Sequence, residues 1–216
     1  MNTPRIKVIF VDFGNVCVTF EFQRFLENFS THAKVPIERV KRALFGKKSY
    51  SNLFAGFERG ELSPVQFFHV LTGMLDCRSR IDYETFAHFW IDVFLKENED
   101  LDALLHRLPQ KKFLLSNTNK IAYGRYIAEC SIVRRHFHSE DDRILSYRVG
   151  ALKPDMQIYH HALARAGITS GETLFIDDIA ENIVAWETLG GHGIVYNAHA
   201  HSTELENHME QLGLFD

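Results

Sequence analysis

The sequence predicts an α/β fold built on a parallel sheet, and three observations carry that expectation. Short, continuously apolar runs recur along the 216 residues, as buried parallel strands do. Amphipathic helical patterns lie between them. Polar and acidic residues follow the runs at their carboxyl ends, where open α/β sheets bind ligands.

The expected strands are Lys7–Val11 (KVIFV), Lys112–Leu115 (KFLL), Thr173–Ile176 (TLFI) and Gly193–Tyr196 (GIVY), with a weaker candidate at Arg143–Tyr147 (RILSY). The pattern EDLDALLHRL precedes the second strand, DMQIYHHALARAG the third and AENIVAWETLGG the fourth. The glycines closing the last two are helix stops, because glycine enters the left-handed conformation at little cost. From about Phe20 to Leu95 the pattern changes to helices alone. SPVQFFHVLTGML opens with Ser63 as cap, Pro64 in the first turn and Gln66 completing a capping box. DYETFAHFWIDVF opens on Asp82, and Phe86, Phe89, Trp90 and Phe94 recur at helical spacing, which predicts a bundle core. Residues 20–95 are thus expected to form a helical insert after the first strand. Residues 1–19 and 96–216 would form the α/β core.

Composition narrows the function. The formal net charge is -4, and the only basic cluster is the short RVKRALFGKK (Arg39–Lys48), so no nucleic-acid partner is expected. No apolar stretch approaches the roughly 20 residues of a membrane span, and the N-terminus lacks the pattern of a signal peptide. Cys17, Cys77 and Cys130 are odd in number and without CxxC spacing, which argues against a disulfide framework. A cytoplasmic protein is expected.

The residues after the strands carry the chemistry. Asp12 follows the first, Ser116 and Asn117 the second, and Asp177 and Asp178 the third, with Glu181 and Asn182 a turn later; Lys153 lies in RVGALKPD after the weak strand. Several carboxylates at one rim repel one another unless a cation joins them, and oxygen-only ligands suit Mg²⁺. A lysine and a hydroxyl supply donors for a phosphoryl group, and a carboxylate can attack phosphorus. Glu181, exposed in the first turn of a helix, is read as a dipole partner.

Asp12-Phe13-Gly14-Asn15-Val16, Ser116-Asn117, Lys153-Pro154 and Phe175-Ile176-Asp177-Asp178 with Asn182 resemble the four motifs of the haloacid dehalogenase superfamily, in order and along the whole chain. FGNV, FERGELSP, LLSNTN and FIDDIAEN resemble its phosphatase branch that includes α-D-glucose-1-phosphate phosphatase and the N-terminal domain of soluble epoxide hydrolase. The resemblance implies a Rossmann-like core with an α-helical cap. It also implies a Mg²⁺-dependent phosphatase acting on a small phosphorylated metabolite, a sugar phosphate and first of all a sugar 1-phosphate, through an aspartyl phosphate. By the same resemblance Asp12 is nucleophile and metal ligand, and the Gly14 carbonyl and Asp178 complete the protein ligands. Asp177 supports the metal's water shell, with Asn182 behind it. Ser116 and Asn117 bind the phosphoryl group, and Lys153 neutralises charge beside Asp12.

One position departs from the pattern. Most phosphatases of the superfamily carry a second aspartate, the general acid and base, where this chain has Gly14. Three compensations are open: an easily expelled leaving group, an acid from the cap with Glu21 of the linker VTFEF as candidate (read first as an exposed linker carboxylate), or weakened turnover. The last would make the chain a binding or regulatory protein. Dehalogenation of a 2-haloacid is the remaining alternative, and the paired Asp177-Asp178 counts against it because that chemistry needs no metal. DFG without a glycine-rich loop or HRD element does not make a kinase. His199 and His201 are read as loop residues, Ser139–Asp142 as a polar loop and Cys17 as a buried, inert thiol.

Overall fold

The computed structural model describes residues 6–46, 52–200 and 202–215; Lys48, at the end of the basic cluster, and His201 lie outside them. Among the described residues, seven strands run β1 (Val8–Val11), β2 (Val18–Phe20), β3 (Phe94–Glu97), β4 (Lys111–Ser116), β5 (Arg143–Leu145), β6 (Thr173–Asp177) and β7 (His192–Val195). Five of them form one parallel sheet in the order β5-β4-β1-β6-β7.

Strand alternation explains why the core runs are apolar at every position. Val8 and Phe10 point into one layer with Phe113, Leu115, Ile144 and Phe175; Ile9 and Val11 point into the other with Leu114, Leu145, Leu174 and Ile176. The helices are α1 (Phe22–Ala33), α2 (Ile37–Phe45), α3 (Leu53–Glu58), α4 (Pro64–Met74), α5 (Tyr83–Ile91), α6 (Glu99–Arg107), α7 (Lys120–Arg125), α8 (Ser131–His136), α9 (Ser146–Val149), α10 (Met156–Ala166), α11 (Ala180–Thr188) and α12 (Ser202–Gln211). Ile158, Tyr159 and Ala162 of α10 and Trp186 of α11 cover the first layer; α6, α8 and α12 cover the second.

The expected caps are in place. Ser63 and Gln66 close a reciprocal capping box, Asp82 accepts from the Thr85 N–H, and Gly167 ends α10 at φ 66°. α1 to α5 pack on one another around an aromatic cluster: Trp90 meets Phe22, Phe25, Phe54, Phe57, Phe67 and Phe86, with ring centroids 4.7–5.8 Å away.

Two details differ from the sequence expectation. The helical segment is entered and left through strands: β2 and β3 pair antiparallel as a two-stranded ribbon. β3 is mostly solvent-facing, so it has no buried apolar run to announce it. The weak fifth strand stops at Leu145, because Ser146 starts α9 and uses its hydroxyl in tertiary hydrogen bonds.

Candidate active site

Strand order places the site. The chain leaves β1, builds β4 and β5 on one side of it, and returns to β6 on the other, so a crevice opens at the carboxyl ends of β1 and β6. Asp12 follows β1, Asp177 ends β6, Asp178 follows it, and Ser116 ends β4. Lys153 arrives on the loop between α9 and α10.

The lysine ties the rim together. Its Nζ donates to Asp12 Oδ1 and Asp177 Oδ2, both at 2.6 Å, and to the Leu115 carbonyl at 2.9 Å. Its side chain is only 2% exposed, and three acceptors match its three protons. Burial works to lower the lysine's pKa, but Asp12 and Asp177 outweigh it, so the value lies above the ordinary one. Asp177 is held on its other side by the Asn182 amide at 2.9 and 3.1 Å and by the Ile179 N–H at 2.8 Å. Burial pushes Asp12 up to about 7; Lys153 opposes that shift, while Asp177 and Asp178 add to it. Burial raises Asp178 too, against a 3.2 Å hydrogen bond from the Asn15 amide.

One oxygen each of Asp12, Asp177 and Asp178 lies within 4.8 Å of the others. This crowding of carboxylates fits a hard cation. The Gly14 carbonyl fits as well: among the described residues no backbone N–H donates to it, although the same turn is bonded through Asn15, Val16, Cys17 and Val18.

Sequence reasoning brought Asp12, Gly14, Ser116, Asn117, Lys153, Asp178 and Asn182 to one cavity of about 280 Å³, with Asp177 buried directly behind it. Asn117 differs in detail. Its side-chain amide donates to the Lys153 carbonyl and accepts from the Lys153 N–H, at 2.9 and 2.8 Å, so the side chain is engaged in clasping the lysine loop. Glu181 is exposed, as expected of a first-turn residue, and so is His199 in its turn.

The cap acid is the other correction. Glu21 is exposed before α1 and does not line the cavity. Glu58, at the end of α3, does line it, and sequence reasoning missed it. The signal was the single carboxylate in LFAGFE, inside the FERGELSP stretch. The remaining wall is aromatic: Phe20, Phe22, Phe54, Trp90 and Phe94.

A family model for haloacid dehalogenase-like hydrolases matches residues 6–190. The chain belongs to that family. It is 29% identical over 192 residues to the D-ribitol-5-phosphate phosphatase of Bacteroides thetaiotaomicron, covering 86% of this chain and 89% of the relative. It is 24% identical over 151 residues to the sesquiterpene phosphatase astK of Aspergillus oryzae, covering 67% and 72%. A crystal structure of the family enzyme bt-2542 from Bacteroides thetaiotaomicron, in complex with magnesium and inorganic phosphate, superposes with a TM-score of 0.76 at 25% identity, covering 93% of this chain and 98% of that one. Among the described residues, no helix of this hydrolase is long and apolar enough to cross a membrane.

Proposed function

We propose that the chain is a Mg²⁺-dependent phosphatase that hydrolyses a small phosphate monoester through an aspartyl phosphate on Asp12. The observation that carries this reading is the rim itself: a buried lysine between Asp12 and Asp177, with Asp178 beside them, at the carboxyl ends of β1 and β6.

Asp12 attacks phosphorus, forming an Asp12–phosphoryl bond as the ester oxygen departs, and water then hydrolyses that bond. Lys153, already aimed at Asp12, offers its positive charge to the phosphoryl oxygens. The Ser116 hydroxyl and the main chain of Asn117 hold the same group. Asp12, Asp178 and the Gly14 carbonyl would ligate Mg²⁺, and Asp177 would hold its water. Bound there, the ion neutralises the carboxylates and withdraws charge from the phosphoryl group. Asn182 orients Asp177 from behind.

Residues 20–95 are in this reading a cap over the core formed by 1–19 and 96–216, and the cap supplies most of the aromatic wall. For the organic half we keep a sugar phosphate, with a sugar 1-phosphate first; the wall favours an ester with an apolar face, which a sugar ring and an isoprenoid both possess. The named relatives act on a polyol phosphate and, by name, a sesquiterpene phosphate. Three buried, unpaired thiols support a cytoplasmic setting.

The test is phosphate release from sugar, polyol, aryl and prenyl phosphates, with and without Mg²⁺, by wild type and Asp12→Asn. Turnover should require both the metal and Asp12. Turnover that survives either loss overturns the mechanism. Metal binding without turnover on the panel would favour the binding-protein alternative, and halide release without Mg²⁺ would favour dehalogenation.

A further inference from the structure

Gly14 removes a proton donor from the core side of the cavity, so a donor is sought on the other side. Glu58 is the last residue of α3 and lines the cavity together with Asp12, Gly14 and Lys153. It is half-buried, and Phe20, Phe22, Phe54 and Trp90 line the same cavity. Among the described residues, no donor or cation within hydrogen-bonding distance meets its carboxyl, although every carboxylate of the rim opposite has one. A half-buried carboxyl left without a protein partner asks for a ligand.

Its backbone, by contrast, is fastened to the core. The Ser146 hydroxyl donates to the Glu58 carbonyl at 2.7 Å and accepts from the Thr118 N–H at 2.8 Å, which joins the end of α3 to the loops after β4 and β5. Gly60, at φ 76°, then passes so close that a Cβ there would lie 2.3 Å from the Tyr147 carbonyl.

We propose that Glu58 is the general acid and base of this site, doing from the cap what a side chain at position 14 would otherwise do. The proposal rests on the phosphatase reading above. As the Asp12 oxygen bonds to phosphorus, the phosphorus–oxygen bond of the ester breaks and its electron pair stays on the leaving oxygen. That oxygen takes the proton of the Glu58 carboxyl and departs as an alcohol. The Glu58 carboxylate then takes a proton from water as the water oxygen attacks phosphorus. Inorganic phosphate leaves, Asp12 is again a carboxylate, and Glu58 is again protonated.

The electrostatics fit both roles. Burial pushes Glu58 up to about 8, Lys153 across the cavity lowers it and Asp12 raises it. The acid is therefore largely protonated at neutral pH, and a shuttle with a pKa near neutrality can both give and take a proton there. Arg42 on α2, His69 on α4 and Arg148 on α9 lie on the elements packed against α3, and Arg148 is paired with Glu140 at 2.5 Å. The neighbouring Arg59 is paired with Glu61 at 2.7 Å.

The test compares p-nitrophenyl phosphate with benzyl phosphate, two rings of similar size that differ in how badly the leaving oxygen needs a proton. With Mg²⁺ present, Glu58→Gln should lower kcat/KM on benzyl phosphate by about 10²–10⁴-fold and kcat/KM on p-nitrophenyl phosphate far less. Thermal denaturation checks that the variant is folded. Gly14→Asp in the Glu58→Gln background should recover much of the benzyl activity, since a Cβ at position 14 has Phe20 as its nearest neighbour, at 4.0 Å. Carbon-13 titration of the Glu58 carboxyl, read without turnover, should give a midpoint well above the ordinary carboxylate range. Equal losses on the two esters, or an ordinary midpoint, overturn the role of Glu58 and leave the phosphatase reading standing. A wild type inert on both esters overturns the phosphatase reading and this one with it.

Discussion

Replacing Lys153 by methionine isolates the electrostatics of the rim. The side chain is 2% exposed and makes three hydrogen bonds, so methionine keeps much of the volume but removes the cation that lies between Asp12 and Asp177. Like charges 4 Å apart repel by about 4 kcal/mol at an effective dielectric of 20, and breaking one side of a buried pair costs about 3–5 kcal/mol. At pH 8 without metal the variant should lose that amount, a drop of roughly 6–20 °C in Tm for a domain of this size. The loss should depend on pH. Burial already holds Asp12 at about 7, above its unfolded value near 3.8, and losing Lys153 removes the main influence that lowers it. A carboxyl with a raised folded value contributes stability that is complete below its unfolded pKa and is lost as pH rises through its folded one. The gap between variant and wild type should therefore be small at pH 5 and widen toward pH 8. Mg²⁺ should narrow it at pH 8, by about 1.4 kcal/mol for each tenfold by which the variant, with its carboxylates unpaired, binds the ion more tightly than the wild type. Calorimetry over that pH range, with and without Mg²⁺, reads all three effects. A gap that does not change with pH and does not respond to Mg²⁺ would refute the reasoning, because the lysine would then act through packing alone.

Three other expectations are independent of turnover. Trp90→Ala should cost about 3–5 kcal/mol in urea denaturation, because it empties the centre of the aromatic cluster, and Trp90→Phe should cost less while releasing the 3.1 Å hydrogen bond to Asn119. Asn15→Ala should be less stable than Asn15→Gly although both lose the same contacts to Asp178 and the Phe20 N–H, since Asn15 sits at φ 53°. Thiol reagents should label none of Cys17, Cys77 and Cys130 in the native protein and all of them after unfolding; burial raises each thiol, Cys130 to about 12.

The legible parts of the fold were those governed by local or periodic rules. Apolar runs marked four core strands to within one or two residues, because both faces of a parallel sheet are covered. Capping chemistry marked the starts of α4 and α5. The β2–β3 ribbon was not legible, because its pairing joins residues some seventy-five positions apart and only one strand end is buried. At the site, residue identity was legible and orientation was not. Asn117 was visible as a polar residue after a strand, but the clasp it forms with the Lys153 backbone depends on two loops meeting in space. Glu21 stood next to the first motif in sequence and Glu58 did not. Folding reverses their nearness to Asp12, because α1 leads away from the cavity and α3 returns to it.

The end of that return is fastened to the core by the Ser146 hydrogen bond, which makes Gly60 a lever on the site without being part of it. Alanine at position 60 meets two penalties: φ 76° strains any L side chain, and its Cβ would lie 2.3 Å from the Tyr147 carbonyl. The backbone must then move, and the adjacent bond from Ser146 to the Glu58 carbonyl is the contact most exposed to that movement. The strain is worth about 1–3 kcal/mol, so the protein should stay folded with a lowered Tm. Among the described residues no hydrogen bond joins the Asp12, Lys153 and Asp177 side chains to this turn, so their arrangement and Mg²⁺ binding should persist. A displaced Glu58 hurts esters that need a proton and spares those that do not. Gly60→Ala should therefore lower kcat/KM on benzyl phosphate far more than on p-nitrophenyl phosphate, reproducing the selectivity of Glu58→Gln with the carboxylate still present. An equal fall on both esters would mean that position 60 acts through the fold as a whole, and that the Ser146 fastening does not place the acid.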